Sequence, residues 1–492
     1  MRILMALGLS VAALAPAVPA AAAAPSDPLA RFHHQKLHWD VCHMKELDDA
    51  GAQCADVTVP LDYARPDGKT ITVAISRLRA TGKRLGTMVI NGGGPGPAID
   101  MPPYIRAITP KAGPRFDLVG MDPRGLGRST PVDCGWPSGT WIRSAGGDRR
   151  GFDASVSFAR TLAERCLAKY GSYLPYISTR NIARDMDVVR AALGERKISY
   201  NGASYGTYLG AVYAALFPGR LDRAVLDSNV DPDRWSPRLI HGAEEANERA
   251  LAHWADWAAR RDGTYHLGRT RAAVLATVHR IIARAGRAPL PVGPYEVDDS
   301  TVPTVLFNLL SDDRDRPRAD LATTVAALDR AAHGAHVPAT GVLGEALEFL
   351  LTGKESVYGS GQAAIICGDA SAPRNPETYW RDVQKERRVH PTFGAIGANI
   401  GPCAFWPSPR EPRTKVNLTL PSLLIGATGD PRTVYAGSLA LHRDLKGSRL
   451  VTLKGADVHA PYQAAYGNAC LTAKVDDYLL TARLPATDTT CT

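Results

Sequence analysis

Several short apolar runs along the chain end in turns that are rich in glycine or aspartate. The runs cover residues 87–90, 116–121, 198–200, 223–226, 422–426 and 450–453. Patterns typical of helices lie between them, at residues 181–193 and 207–217. This alternation predicts an α/β fold with a mostly parallel central sheet and helices on both faces. The residues just beyond the strand ends should then meet at one edge of the sheet, where ligands bind.

Two stretches depart from this alternation. Residues 55–60 and 70–77 flank an Asp67-Gly68 turn and predict an antiparallel hairpin at the start of the sheet. From residue 234 to residue 413 the pattern becomes helical, which favours an inserted helical cap. The predicted helices in this stretch cover residues 244–259, 271–285, 319–332 and 343–351. The core would then comprise residues 25–233 and 414–492.

The N-terminus has the pattern of a secretory signal peptide. A basic start is followed by an apolar stretch from residue 3 to residue 18 and by small residues at 19–24. This stretch is shorter than the roughly 20 apolar residues that cross a bilayer, and prolines occur at its end and just after it, at residues 16 and 19. We therefore expect residues 1–24 to be a cleaved signal peptide, with no stable membrane span in the chain.

The cysteine count agrees with export. The eight cysteines are Cys42, Cys54, Cys134, Cys166, Cys367, Cys403, Cys470 and Cys491. An even number in an exported chain favours disulfides, and proximity in sequence suggests the pairs 42–54, 134–166, 367–403 and 470–491. Other pairings stay open because spacing alone does not define connectivity. No C-x-x-C pair supports the alternative of a zinc site, so we expect no metal.

The net charge of +9 is spread along the chain. Even the densest charged stretch, residues 312–320, mixes both signs. A basic run interleaved with aromatic residues would indicate a nucleic-acid binder, and this pattern does not occur. We expect a secreted monomer without nucleic-acid partners, loosely attracted to an anionic cell wall.

The strongest chemical signal is Gly202-Ala-Ser204-Tyr-Gly206, which follows a predicted strand and precedes a predicted helix. A G-x-S-x-G sequence alone is weak and can be an ordinary glycine turn. In this setting it is typical of the nucleophile elbow of an α/β hydrolase, in which the tight turn exposes the serine. Ser204 is therefore the predicted nucleophile.

A serine hydroxyl needs a base, and the base needs an acid that holds its tautomer. Of the 13 histidines, His459 follows the last predicted strand, where the order Ser, Asp, His places the base. Asp430 follows the preceding strand and is the predicted acid. Two alternatives remain: Asp430 could be a helix N-cap, and Asp457 could be the acid.

The tetrahedral intermediate of such an enzyme needs N–H donors for its oxyanion. The backbone of Tyr205, directly after the nucleophile, should supply one donor. The glycine-rich loop at residues 92–96 should supply the other from Gly94, with Gly93 as second choice. This loop lacks the Lys-Ser/Thr that would indicate a P-loop.

Taken together, these motifs resemble those of the tripeptidyl aminopeptidases, secreted α/β-hydrolase peptidases of actinobacteria related to proline iminopeptidase. The resemblance rests on GGGPG at 92–96, DPRGLGRS at 122–129, GASYGTYLG at 202–210, ICGD at 366–369, GATGDPRT at 426–433 and the final His459. It implies a triad of Ser204, Asp430 and His459 without metal or organic cofactor. It also implies an exopeptidase that acts on peptides with free N-termini.

An exopeptidase of this kind should hold the ammonium group of its substrate with carboxylates. The candidates are Glu244, Glu245, Asp231 and Asp369. Two other functions stay open at this point. One is an exported carboxylesterase with the same triad, and the other is a catalytically inactive binding protein on a hydrolase scaffold.

Overall fold

A nine-stranded sheet forms the centre of the molecule in the computed structural model, which describes residues 27–492. The predicted signal peptide lies outside the described residues. Two further pairs, β7 with β8 and β9 with β11, form separate small sheets. The strands of residues 27–492 are β1 (Gln53–Pro60), β2 (Thr70–Leu78), β3 (Gly86–Asn91), β4 (Phe116–Met121), β5 (Ile198–Ala203), β6 (Leu221–Asp227), β7 (Leu290–Val292), β8 (Tyr295–Val297), β9 (Leu418–Thr419), β10 (Leu423–Ala427), β11 (Leu445–Lys446), β12 (Arg449–Leu453) and β13 (Thr489–Cys491).

Helices follow most of the strands and cover the sheet. They are α1 (Ala30–His33), α2 (Lys45–Asp49), α3 (Met101–Ile108), α4 (Arg149–Tyr170), α5 (Thr179–Ala192), α6 (Tyr205–Leu216), α7 (Glu244–Ala259), α8 (Asp262–Tyr265), α9 (Arg271–Arg287), α10 (Thr301–Leu309), α11 (Asp315–Ala332), α12 (Gly341–Leu351), α13 (Ser356–Asp369), α14 (Pro376–Val389), α15 (Gly394–Gly397), α16 (Tyr435–Asp444) and α17 (Ala469–Thr481).

The strand order in the sheet is β1-β2-β4-β3-β5-β6-β10-β12-β13. β2 pairs with β1 and with β4 in antiparallel fashion, whereas all the later neighbours are parallel. Every apolar run that the sequence indicated is a strand of this sheet, and the predicted hairpin is β1-β2. The mostly parallel α/β fold is therefore confirmed.

Alternation of side chains along the strands explains why both faces are covered. In β3, Val89 belongs to the hydrophobic cluster that includes α5 and α6, whereas Met88 and Ile90 belong to the cluster that includes α3 and α17. Successive residues of a strand point to opposite faces, so a continuous apolar run needs packing partners on both sides. Helices are therefore needed on both faces of the sheet to bury the apolar side chains of the strands.

The segment between β6 and β10 holds the predicted helices together with a short hairpin of β7 and β8. The sequence did not predict this hairpin. Most of the segment has its own hydrophobic cluster, from Ala250 to Leu350 with Phe393 and Ile396. However, Cys367 and Cys403 pack in the main cluster beside the sheet. The division into core and cap stays a prediction.

Four disulfides join the cysteines that are neighbours in sequence. They are Cys42–Cys54, Cys134–Cys166, Cys367–Cys403 and Cys470–Cys491, so the pairing expected from proximity is confirmed. Disulfides of this kind are typical of proteins in oxidising compartments. From residue 27 to residue 492, no helix has the length and apolar character needed to cross a membrane.

Candidate active site

Ser204 lies in a sharp turn between β5 and α6. Its backbone has φ 54° and ψ −123°, a conformation that L-residues rarely adopt and that the surrounding structure must hold. A Cβ on Gly202 would lie 2.6 Å from the carbonyl oxygen of Gly206, and one on Gly206 would lie 2.7 Å from that of Asn91. Only glycine fits at either end of this turn, so the G-x-S-x-G sequence has a steric cause.

His459 and Asp430 form a hydrogen-bonded pair. The Nδ1 atom of His459 lies 3.0 Å from both carboxylate oxygens of Asp430, which is 1% exposed. Burial alone would raise the pKa of Asp430, but the charge and hydrogen bond of His459 and the Ser228 hydroxyl lower it below its usual value. Because Asp430 engages Nδ1, the other ring nitrogen of His459 takes no part in this pair.

Asp227, the last residue of β6, and Ser228, the first residue after it, connect Ser204 to this pair. The carbonyl oxygen of Asp227 accepts the backbone N–H of Ser204 at 2.9 Å. The Ser228 hydroxyl donates to Asp430 at 2.6 Å and accepts the backbone N–H of Ala460, next to the histidine, at 2.7 Å. Two consecutive residues thus bridge the serine, the acid and the histidine.

Asp457, the alternative acid, has a different partner. Its carboxylate lies 2.6 Å from Nδ1 of His253 on α7. The structure therefore pairs His459 with Asp430 and joins Asp457 to the inserted segment. Asp430 also accepts the backbone N–H groups of Arg432 and Thr433, but the next helix, α16, begins at Tyr435, so Asp430 is not its N-cap.

The glycine-rich loop lies directly against the nucleophile. A Cβ on Gly93 would lie 2.7 Å from Cβ of Ser204 and 3.3 Å from the backbone nitrogen of Tyr205. The N–H of Gly93 donates to the Asn91 side chain at 3.0 Å. Among residues 27–492, no acceptor takes the N–H of Gly94, which favours Gly94 over Gly93 as the second oxyanion donor.

The four candidate carboxylates for the substrate amine are dispersed. Glu244 is buried, and its carboxylate lies 2.7 Å from Nδ1 of His241 and accepts the backbone N–H of Gly242. Burial alone would raise the pKa of Glu244, but the hydrogen bond with His241 lowers it below its usual value. Asp369 is the last residue of α13 and is buried. Glu245 is exposed, and Asp231 lines a cavity of about 310 Å³ beside the loop after β10.

Asp369 is occupied by neighbouring donors. It accepts Thr179 N–H at 2.6 Å and Trp235 Nε1–H at 2.8 Å, and burial raises its pKa to about 6. These contacts make Asp369 a structural bridge between α5, α13 and the loop after β6. No carboxylate among the four is brought next to Ser204 by a contact in the described chain, so the amine site stays a prediction.

Sequence reasoning missed the role of Asp227. Its carboxylate accepts the backbone N–H groups of Tyr462 at 3.0 Å and Gln463 at 2.8 Å, in the loop after His459. Burial raises the pKa of Asp227 to about 7. The signal was present, since Asp227 and Ser228 directly follow a predicted strand beside the one that ends at the nucleophile.

The strand order and the three loops define the class of this protein. The serine turn follows β5, the aspartate follows β10, and the histidine follows β12, which is the arrangement of an α/β hydrolase. The family model described as "TAP-like protein" matches residues 390–491, which include both Asp430 and His459.

Similar proteins extend this match over almost the whole chain. A tripeptidyl aminopeptidase of Streptomyces lividans is 36% identical over 94% of this chain and 88% of its own length. Serine protease Hip1 of Mycobacterium tuberculosis is 29% identical over 93% and 91%. A protein named carboxylesterase B of the same species is 30% identical over 92% and 89%. The chain belongs to the tripeptidyl aminopeptidase family of serine hydrolases.

Proposed function

We propose that this enzyme is a serine exopeptidase that releases short peptides, including tripeptides, from free N-termini. The observation that carries the proposal is the 3.0 Å pairing of His459 with Asp430 at the sheet edge where Ser204 ends β5. The 36% identity to a tripeptidyl aminopeptidase supports the choice of substrate. Ser204, His459 and Asp430 would act as nucleophile, base and orienting acid.

The reaction would proceed through an acyl-enzyme. Ser204 Oγ attacks the scissile carbonyl carbon while His459 takes its proton, and Asp430 stabilises the resulting imidazolium. The backbone N–H groups of Tyr205 and Gly94 bind the oxyanion. When the intermediate collapses, the C–N bond breaks and His459 returns the proton to the leaving amine. Water then cleaves the acyl ester by the same steps and frees the serine.

The most informative experiment is mass spectrometry of the products from a peptide library offered with free and with acetylated N-termini. The proposal expects release of short N-terminal fragments of uniform length from the free peptides alone. Equal cleavage of acetylated peptides, or single-residue products, would contradict it.

Replacement of Ser204 by alanine should abolish this release. The rate should fall by at least about 1000-fold, because the acyl-enzyme cannot form. Circular dichroism and the melting temperature should stay unchanged, and Ser172→Ala, which alters an exposed serine, serves as the matched control. Retained turnover in Ser204→Ala would identify a different nucleophile.

A carboxylesterase is the second candidate, because a relative with that name is 30% identical over nearly the whole chain. The two functions differ in whether the substrate needs a free amine. Chromogenic amides and esters, each with free and blocked amines, separate them. Faster turnover of blocked esters than of free peptides would favour the esterase.

We also propose that the protein acts outside the cell. The signal-peptide pattern at residues 1–24 and the four disulfides support this location. Edman sequencing of protein from the culture medium and from the cell wall should give a mature N-terminus near residue 25. An intact N-terminus in the cytoplasm would contradict export.

A further inference from the structure

Residues 311–314 connect α10 to α11 and lie against the loop that carries the catalytic histidine. We call these four residues the cap hook and residues 457–466 the histidine loop. Contacts between the two join the segment inserted after β6 to the part of the sheet edge where catalysis takes place. They involve the histidine itself as well as both ends of its loop.

Ser311 and Asp313 hold the histidine loop at His459 itself and at both ends of the loop. The carbonyl oxygen of Ser311 accepts the backbone N–H of His459 at 2.9 Å. The carboxylate of Asp313 accepts the backbone N–H of Asp457 at 2.9 Å and the hydroxyl of Tyr466 at 2.8 Å. Asp313 thereby fixes the loop on both sides of the histidine.

The far end of the loop is held by Arg314. Its guanidinium donates to the carbonyl oxygens of Ala464 at 3.1 Å and Ala465 at 2.8 Å. Asp312 accepts from Nε of Arg314 at 2.9 Å and orients the guanidinium plane. A planar guanidinium with several donors in fixed directions suits such a paired contact, which lysine cannot reproduce.

The histidine loop needs external support because its backbone is strained. Ala460 has φ 54° and Ala465 has φ 49°, in the left-handed region that alanine disfavours. From the core, Asp227 holds the middle of the loop through Tyr462 and Gln463. The cap hook adds contacts at Asp457, His459, Ala464 and Ala465.

We propose that Asp313 and Arg314 are positioning residues for His459, so that the inserted segment sets the alignment of the catalytic base. This proposal rests on the proposed triad. The same segment would face a substrate bound above Ser204. Substrate binding would then be coupled to the position of His459. A displacement of about 1 Å at a catalytic group can cost on the order of 100-fold in rate.

The test compares Asp313→Ala with Asp313→Asn. Alanine removes the two hydrogen bonds of the Asp313 side chain to the histidine loop and its ion pair with Arg318 at 3.8 Å. Asparagine keeps the two hydrogen bonds, since its carbonyl accepts the Asp457 N–H and its amide donates to the hydroxyl of Tyr466, and it loses only the charge that pairs with Arg318. We expect Asp313→Ala to lower kcat by about 10- to 100-fold with KM within about 2-fold, and Asp313→Asn to stay within about 3-fold of wild type.

Labelling by a fluorophosphonate provides a second readout, because it reports the reactivity of Ser204 without a peptide substrate. The labelling rate should fall in parallel with kcat in Asp313→Ala. Arg316→Ala, an exposed neighbour in α11, is the matched control and should react as wild type does. If Asp313→Ala does not fold, Arg314→Met carries the same expectation.

The outcomes separate this inference from the proposed function. If kcat and the labelling rate both stay at the wild-type value in Asp313→Ala and in Arg314→Met, the positioning role is overturned, whereas the proposed triad is unaffected. An equal loss of kcat in Asp313→Asn and Asp313→Ala would also overturn it, because the hydrogen bonds from Asp313 to the histidine loop would then not be the cause. Unreactive wild-type protein would instead refute the proposed triad.

Discussion

Asp227 combines a buried carboxylate with a place between the nucleophile and the histidine. Burial raises its pKa from 3.8 to about 7, and the nearby Asp430 acts in the same direction, whereas His459 and two backbone N–H groups oppose the shift. One of its carboxylate oxygens has no hydrogen-bond partner in the described part of the chain. Ionisation of Asp227 therefore lowers the stability of the folded state.

This cost predicts a pH dependence of stability. As pH rises from 3.8 to about 7, the unfolded chain loses the Asp227 proton before the folded chain does. The contribution of this group to the free energy of unfolding is therefore present at low pH and lost as pH rises through that window. Asp227→Asn should remove this loss, since the amide stays neutral.

Urea unfolding of wild type and Asp227→Asn at pH 5 and pH 8 measures the effect. The variant should gain stability relative to wild type on going from pH 5 to pH 8. Asp231→Asn, in the same loop but not fully buried, is the control and should show no such gain. An equal difference between Asp227→Asn and wild type at both pH values would refute the assignment.

At the scale of elements, the last strand shows what the sequence pattern misses. β13 spans only Thr489–Cys491, follows a proline-containing loop and has no apolar run. It pairs with β12, the strand that leads to the histidine loop, and the Cys470–Cys491 disulfide joins it to α17. Tertiary pairing and a covalent bond create this strand, and local propensity does not predict it.

Removal of this disulfide tests its contribution. The double substitution Cys470→Ser with Cys491→Ser should lower the free energy of unfolding by about 2–4 kcal/mol, mainly because the unfolded chain gains freedom. Chemical denaturation measures the loss. The double variant Cys42→Ser with Cys54→Ser is the comparison. It should lose somewhat less stability, since the Cys42–Cys54 bond spans 12 residues and the Cys470–Cys491 bond spans 21. An unchanged midpoint would contradict a stabilising role for the Cys470–Cys491 disulfide.

The cap hook was visible in the sequence only as charge. Residues 312–320 mix acidic and basic side chains, a pattern that usually belongs to a solvated surface. In the structure Asp313 and Arg314 contact a loop that lies more than a hundred residues away in sequence. Contacts at such separation depend on how the helices of the insert pack, which periodicity does not reveal.

At the scale of the whole molecule, the sheet brings together residues that are far apart in the chain. Strand ends and glycine turns were enough to predict that Ser204, Asp430 and His459 share one edge of a parallel sheet. The amine candidates could not be evaluated in this way, because Glu244 and Asp369 look like accessible carboxylates until their buried hydrogen bonds are seen. Strand ends can be located from local patterns, whereas the burial of a side chain depends on packing.

The central claim is that Ser204, activated by His459, attacks the substrate. The most direct measurement is peptide mapping after reaction with a fluorophosphonate, carried out on wild type, Ser204→Ala and His459→Ala. The account predicts one phosphonyl group per chain, on Ser204 in wild type, no adduct in Ser204→Ala and greatly slowed labelling in His459→Ala. A stoichiometric adduct on any other residue, or labelling of His459→Ala at the wild-type rate, would contradict it.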